Sequence, residues 1–203
     1  MKISFWGVRG FIPTPGTETT QYGGNTLCTS VEDTKGNFVG LDAGTGVTVW
    51  GRHLLRSPLG KGQGTCHLFI THSHYDHIQG FPFFIPAHIP GNTIHVYGSA
   101  LSSSTMERVL ESQLTPVFSP MQTLKNFGSA MNFHRLDCTS TTTIGDMVVT
   151  VQDLPHIVDR TLGIKITEGD RTLVYISDVN YTDVTTCEKA IAFCRDADLL
   201  IHD

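Results

Sequence analysis

A run of metal-binding residue types, placed directly after an apolar stretch, constrains this chain more than any other feature. Residues 66–71 form a compact apolar segment typical of a buried strand, and His72, His74, Asp76 and His77 follow within six positions. Only 10 of the 203 residues are histidine, so three of them in six positions is a marked departure from an even distribution. In an extended backbone His72, His74 and Asp76 point to one side, whereas His77 points elsewhere and can serve a second ion.

A surface or capping role is the alternative for such residues, and Asp76 has the residue type of a helix N-cap. That alternative is weak for the whole cluster, because crowded imidazole and carboxylate groups need a cation to relieve them. The sequence therefore predicts a metal centre at the carboxyl end of the strand 66–71.

Strand and helix patterns alternate along the chain, which indicates an α/β sandwich with sheets inside and helices outside. A length of 203 residues suits one domain. The aromatic and proline-rich stretch 80–90 is expected to pack over the mouth of the site, and 114–131 to be irregular. The predicted strands are 2–7, 26–31, 37–41, 66–71, 93–97, 147–154, 162–167, 172–176 and 199–201, and the predicted helices are 47–55, 102–113 and 183–196.

Charge and composition narrow the class of partner. The net charge of −5 provides no general positive field for long polyanions, so binding of extended nucleic acid is not favoured and a small-molecule substrate is expected. Five scattered cysteines predict free thiols in a reducing compartment. No apolar run approaches the length of a membrane span, and the first residues are too short for a signal peptide, so we expect a soluble cytoplasmic protein without a membrane partner.

The spacing H-x-H-x-D-H after an apolar strand resembles the signature of the metallo-β-lactamase superfamily. Residues 7–16 (GVRGFIPTPG), 22–26 (YGGNT) and 41–46 (LDAGTG) extend the resemblance to its phosphodiesterase-like branch, which includes ribonuclease Z and the PhnP-type phosphodiesterases. The resemblance implies a single domain over 1–203 with the superfamily's αββα architecture, in which two mixed sheets pack together and helices lie outside.

The resemblance also implies two further ligands, His156 in a Leu-Pro-His sequence and Asp178 at the end of a strand. Without the resemblance, the evidence that either residue is a ligand is weaker, since an aspartate at a strand end is usually a turn former. The implied arrangement is His72, His74 and His156 on one ion, Asp76 and His77 on a second ion, and Asp178 between them.

Two polar residues are expected to support this centre. Asp42 is expected to orient a ligand histidine, since such histidines commonly donate their other ring N–H to a carboxylate; fixing the turn 43–46 is the alternative. Asn25 is assigned the same supporting role.

The last residues, 199–203 (LLIHD), resemble a family segment that continues through a further helix and strand. We therefore expect the second ion to lack one ligand. His202 could substitute for it, or His202 and Asp203 could simply close a strand. An uncovered sheet edge would need a missing segment or a partner, and a homo-oligomer is one way to supply it.

The expected cofactors are two divalent ions, zinc first, although imidazole and carboxylate ligands suit manganese and iron as well. Such a pair can hold a bridging hydroxide, with Asp76 and Asp178 as the catalytic carboxylates. The resemblance then implies a metal-dependent hydrolase of phosphodiester bonds, acting on a cyclic nucleotide or another small diester.

Other functions stay open at this point. The same centre suits a thioester, a lactone or a β-lactam, and a non-catalytic metal-binding remnant is a further alternative. Reduction of oxygen or nitric oxide is disfavoured, because the di-iron members of the superfamily carry glutamate where this chain has His74. The chain has no P-loop, no serine elbow and no complete dinucleotide fingerprint.

Overall fold

The computed structural model describes residues 1–99, 105–117, 119–157 and 160–202. Its first sheet is mixed: three strands at one edge are antiparallel, and the next three run parallel to the third. In spatial order this sheet consists of β1 (Lys2–Gly7), β2 (Cys28–Glu32), β3 (Phe38–Leu41), β4 (Thr65–Ile70), β5 (Thr93–Ser99) and β6 (Ala130–Leu136).

The second sheet is also mixed, with one parallel pair, β10 and β11, at its edge. In spatial order it consists of β11 (Leu199–His202), β10 (Arg171–Ile176), β9 (Arg160–Glu168), β8 (Met147–Pro155) and β7 (Thr141–Ile144). The helices are α1 (Gly46–Leu54), α2 (Tyr75–Ile78), α3 (Ile85–His88), α4 (Met106–Ser112) and α5 (Val184–Cys194).

Burial alternates along the strands and divides the interior into layers. In β4, Leu68 and Ile70 pack toward the helices, and Phe69 packs between the two sheets. Residues of α1, α3 and α4 cover the outer face of the first sheet, and Ala190 of α5 covers the second. The predicted sandwich of two mixed sheets with helices outside is therefore confirmed.

The strand directions bring the predicted site residues to one edge. β3 and β4 are parallel, so the residues that follow them, Asp42 and His72, emerge side by side. β8 and β10 each run antiparallel to β9 and hence parallel to each other, so His156 and Asp178 emerge together as well. A backbone hydrogen bond from Leu162 N–H to the carbonyl oxygen of Thr71 (3.0 Å) joins the sheets at this edge.

Several local expectations need correction. The stretch 80–90 is divided between core and surface: Phe81 and Phe84 are buried, Phe84 stacks on Trp50 with ring centroids 5.6 Å apart, and Phe83 is 60% exposed. Phe81 and Phe84 lie in the core of the helical layer because burial of large apolar side chains is strongly favourable. Two strands were missed. β6 lies within residues of mixed polarity and β7 is mostly threonine, so neither shows a clean period of two.

The predicted helix 102–113 is observed as α4, and residues 102–104 lie outside the described residues. No helix within the described ranges is long and apolar enough to cross a membrane.

Candidate metal centre

The first group of potential ligand atoms comes from both sheets. One ring nitrogen each of His72, His74 and His156 lies within 4.8 Å of the others. Nδ1 of His74 is 3.1 Å from Nε2 of His156. Two ligands about 2.1 Å from one ion would be about 3.0 Å apart at a right angle and about 3.4 Å apart in a tetrahedron. The observed separation suits a shared cation.

The second group shares one member with the first. Ligand atoms of His72, His77 and Asp178 also lie within 4.8 Å of one another. Nε2 of His77 is 2.8 Å from Oδ2 of Asp178, and Nε2 of His72 is 3.9 Å from the same oxygen. Asp76 lies just outside this group, with its Oδ2 3.6 Å from Nε2 of His77. Asp178 is therefore a member of the second group, and its predicted position between two ions stays a prediction.

One buried atom tests whether these residues fit a cation. Nε2 of His72 is inaccessible to solvent and has no hydrogen-bond partner among the described residues. Leaving a buried polar atom unpaired costs free energy, and native proteins rarely do so without a ligand. Burial, reinforced by the neighbouring His77, lowers the pKa of His72 to about 3, so its imidazole is neutral and its lone pair is free to bind metal. The residues present fit a divalent ion.

Asp42 contacts Nδ1 of His77, the ring nitrogen opposite the one that faces Asp178. Its Oδ2 is 2.8 Å from Nδ1 of His77, and its carboxylate accepts hydrogen bonds from the Thr71 amide (2.8 Å), the Thr71 hydroxyl (2.9 Å) and the Tyr175 hydroxyl (2.9 Å). Burial alone would lower the pKa of His77, but the charge of Asp42 and the hydrogen bonds to Asp178 and Asp42 raise it to about 10. Nε2 of His77 faces Asp178, and a divalent ion bound by His77 would take the place of a proton on this nitrogen.

Thr71 and Tyr175 were not predicted from the sequence. The Thr71 hydroxyl is 3.2 Å from Nδ1 of both His72 and His77, so it connects the two ligand histidines to Asp42. A threonine immediately before the histidine run was a signal that could have been used. Tyr175 gave no comparable signal, because its hydroxyl reaches Asp42 only through the packing of the second sheet on the first.

The loop between β1 and β2 reaches the centre through its backbone. The amide of Phe11 donates a hydrogen bond to Oδ2 of Asp76 (2.8 Å), although the Phe11 side chain is 88% exposed. Phe11 adopts φ +73°, a left-handed conformation that is costly for a bulky residue. Gly44, which follows β3, also lies close to Asp76: a β-carbon at Gly44 would collide with the carbonyl oxygen of Asp76.

Asn25 and His202 lie apart from the two ligand groups. The Asn25 side chain accepts a hydrogen bond from the Thr45 hydroxyl (3.2 Å), and its carbonyl oxygen accepts from Val8 and Arg9. Among the described residues its contacts hold the loop rather than a ligand histidine. Nε2 of His202 lies 2.6 Å from the Tyr181 hydroxyl, and Asp203 is outside the described residues.

Comparison with known proteins identifies the family of this chain. The model of the family described as "Beta-lactamase superfamily domain" matches residues 39–203. The chain belongs to the β-lactamase superfamily. A comparison with curated protein sequences finds no match.

Solved structures share the superfamily's fold over nearly the whole chain. A metallo-β-lactamase fold protein, YhfI from Bacillus subtilis, is 20% identical, with a TM-score of 0.66 over 98% of this chain and 68% of its own. A diphosphatase from the PhnP family is 19% identical, with a TM-score of 0.62 over 98% of this chain and 72% of its own. Zn²⁺-bound PqqB from Methylobacterium extorquens is 13% identical, with a TM-score of 0.57 over 99% of this chain and 72% of its own.

Membership has two consequences for this β-lactamase superfamily chain. The superfamily is generally hydrolytic, and its fold implies divalent metal binding. The histidine cluster supplies ligand atoms for such binding at the expected edge of the sandwich.

Proposed function

We propose that this protein is a metal-dependent hydrolase of phosphodiester bonds in small molecules. Two divalent ions, zinc in the first instance, would be held by the six predicted ligands: His72, His74, Asp76, His77, His156 and Asp178. When bound, a pair of such ions lowers the pKa of water toward neutrality and neutralises charge on the phosphoryl oxygens.

The observation that carries this proposal is the pair of ligand groups that share His72. One group alone would support a single structural ion. A neutral imidazole has one lone pair, so His72 would bind only one ion, and the second ion would depend on His77 and Asp178, with Asp76 nearby. Two ions in adjacent groups are the arrangement that phosphoryl chemistry uses to stabilise attacking and leaving oxygens together.

The protein's own residues prepare the centre for such ions. Asp42 fixes the ring of His77 so that Nε2 faces Asp178. The Phe11 amide orients the Asp76 carboxylate. Because these partners are in place before an ion arrives, little rearrangement is needed on binding.

Charge supports a small diester over a long nucleic acid. The net charge is −5, and the centre itself is rich in carboxylates, so phosphates distant from the ions would find no general attraction. The fold shared with a diphosphatase of the PhnP family supports phosphoryl transfer to water as the reaction class.

A substrate panel tests the proposal. The metal-loaded protein is assayed with bis-p-nitrophenyl phosphate, S-lactoylglutathione and nitrocefin, with Zn²⁺, Mn²⁺ or Fe²⁺ supplied in turn. We expect turnover of the diester and little of the other two. Preferential hydrolysis of the thioester or the β-lactam would replace the phosphodiester assignment, and metal binding without hydrolysis of any of the three would indicate a non-catalytic protein.

A further inference from the structure

Strand β10 and the residue after it bring two hydroxyl groups to the ends of β3 and β4. The Tyr175 hydroxyl donates a hydrogen bond to Oδ2 of Asp42 (2.9 Å). The Ser177 hydroxyl donates to the hydroxyl of Thr71 (3.4 Å). Tyr175 and Ser177 are two positions apart, so an extended chain turns both toward the first sheet. The second sheet thus reaches the surroundings of the centre through side chains outside the set of candidate ligands.

One carboxylate oxygen joins Tyr175 to a candidate ligand. Oδ2 of Asp42 accepts the hydrogen bond from Tyr175 and also lies 2.8 Å from Nδ1 of His77. An ionised carboxylate can only accept, so Nδ1 of His77 is the donor at this contact. Nε2 of the same ring is left to face Asp178. A movement of Oδ2 would therefore change the direction in which Nε2 of His77 points.

The hydroxyl of Tyr175 has a cost that packing alone does not explain. Tyr175 is 2% exposed and packs among apolar side chains between the two sheets. A buried phenol loses its hydration, whereas phenylalanine would fill the same space without that loss. Burial, followed by the charge of Asp42, raises the pKa of Tyr175 well above its usual value, so the hydroxyl keeps its proton and stays a donor. Its hydrogen bond to Asp42 offsets the cost of burial.

The two ligand groups differ in this support. Of the four candidate ligand histidines, His77 is the one with a described hydrogen bond to Asp42. In the first group, His74 and His156 approach each other, with ring nitrogens 3.1 Å apart. The link from Tyr175 through Asp42 therefore leads to the second group, whose ion would depend on His77 and Asp178.

We infer that Tyr175 is a positioning residue for the second ion: it fixes the carboxylate of Asp42 and, through it, the ring of His77. The inference rests on the metal binding of the proposed function and is independent of the substrate. Without the Tyr175 hydroxyl, Oδ2 of Asp42 is less restrained, although the Thr71 amide still holds Oδ1. The second ion then binds less tightly, and the first ion keeps its ligands.

Tyr175→Phe tests the inference because it removes the hydroxyl alone. Tyr97→Phe is the matched control, since Tyr97 is also buried and its hydroxyl contacts His67 away from the centre. Calorimetric titration with Zn²⁺ measures the affinity for each ion. We expect Tyr175→Phe to weaken one ion about tenfold or more and to leave the other unchanged, whereas Tyr97→Phe changes neither. Equal weakening of both ions in Tyr175→Phe would indicate a general loss of structure and overturn the inference.

A double variant tests the route through Asp42. If Tyr175 acts on the ion through this carboxylate, Tyr175→Phe has little further effect on Zn²⁺ affinity in a protein that already carries Asp42→Asn. Fold-losses that multiply in the double variant would show that the two residues act independently, which contradicts the inference.

A measurement without metal separates this inference from the proposed function. The Nδ1–H proton of His77 is buried and bonded to a carboxylate, so NMR can follow it in the metal-free protein. We expect its signal to shift in Tyr175→Phe and to stay in place in Tyr97→Phe. This shift, with selective loss of one ion but no hydrolysis of any ester, thioester or β-lactam by wild type, supports the inference and overturns the proposed function. An unchanged signal and unchanged Zn²⁺ affinity in Tyr175→Phe, with the diester still hydrolysed, overturn the inference and leave the proposed function standing.

Discussion

Nδ1 of His77 lies 2.8 Å from Oδ2 of Asp42, and neither side chain is exposed to solvent. The contact crosses 35 positions of sequence and is sheltered by hydrogen bonds from Thr71 and Tyr175 to the same carboxylate. A buried carboxylate with this many donors is fixed in position, so the ring of His77 is fixed with it.

Replacement of Asp42 by asparagine should weaken metal binding with little change of shape. Asparagine tolerates the φ of +63° at this position, but its amide lacks the charge that raises the basicity of His77. We expect affinity for one of the two ions to fall roughly 10- to 100-fold. Calorimetric titration with Zn²⁺ measures this, with the exposed Asp146→Asn as the matched control. Equal affinities in wild type and Asp42→Asn would contradict the role given to Asp42.

His74→Ala should abolish hydrolysis and leave the protein folded. The side chain is exposed, so its removal should change the free energy of unfolding by no more than about 0.5 kcal/mol. The first ligand group loses one of its three members. Metal content, hydrolysis of bis-p-nitrophenyl phosphate and urea unfolding are measured together, with the exposed His53→Ala as control. Retained turnover in His74→Ala would refute the ligand assignment.

The sequence was sufficient to predict the fold because its strongest signals are local. The apolar segment before His72 and the alternation of strands and helices need only near neighbours in the chain to be recognised. The edge strands were harder to predict. In β6 some polar residues are only half exposed, so the alternation of apolar and polar residues that marks a strand is unclear. Edge strands bury one side of their backbone only, and their sequences are correspondingly less constrained.

The groups that surround the site could not be predicted from the sequence, because their contacts join residues that are far apart in the chain. Tyr175 reaches Asp42 across 133 positions, and the Phe11 amide reaches Asp76 across 65. Every residue except proline has a backbone N–H, so the residue type gave no sign that the Phe11 amide would bind Asp76. The supporting role expected of Asn25 stays a prediction, because its side-chain oxygen accepts a hydrogen bond from Thr45, a residue of the turn after β3.

The backbone of Phe11 should matter more than its side chain. Phe11→Gly keeps the N–H donor and relieves the positive φ, so metal affinity should hold and stability should rise by about 1 kcal/mol. Phe11→Pro removes the donor and cannot adopt this φ, so the Asp76 carboxylate loses its partner.

Zn²⁺ titration and thermal unfolding of both variants check the Phe11 prediction. Affinity in Phe11→Pro should fall at least severalfold, since a charge-assisted hydrogen bond contributes roughly 1.5–3 kcal/mol. Comparable losses in the glycine and proline variants would show that the exposed ring, and not the amide, supports the centre.

A histidine stack away from the site should make folding sensitive to mild acid. His67 and His95 stack with ring centroids 4.8 Å apart, Nδ1 of His95 is 2.8 Å from Nε2 of His134, and the Tyr97 hydroxyl is 3.1 Å from Nδ1 of His67. Burial, followed by the charges of His95 and His134, lowers the pKa of His67 to about 4. The unfolded chain therefore binds a proton before the folded one does, so stability must fall as pH drops from about 6.5 toward 4.

His67→Gln should reduce this acid sensitivity, because glutamine keeps a polar contact for Tyr97 and cannot be protonated. The free energy of unfolding falls between pH 7 and pH 5, and in His67→Gln this fall should be smaller by on the order of 1 kcal/mol, after allowance for the partly exposed ring. Urea unfolding at both pH values measures it, with His53→Gln as the control for an exposed histidine. Carboxylates titrate alike in both proteins and cancel in the comparison. The same loss of stability in wild type and His67→Gln would show that His67 titrates alike in the folded and unfolded chains, against the lowered pKa in the stack.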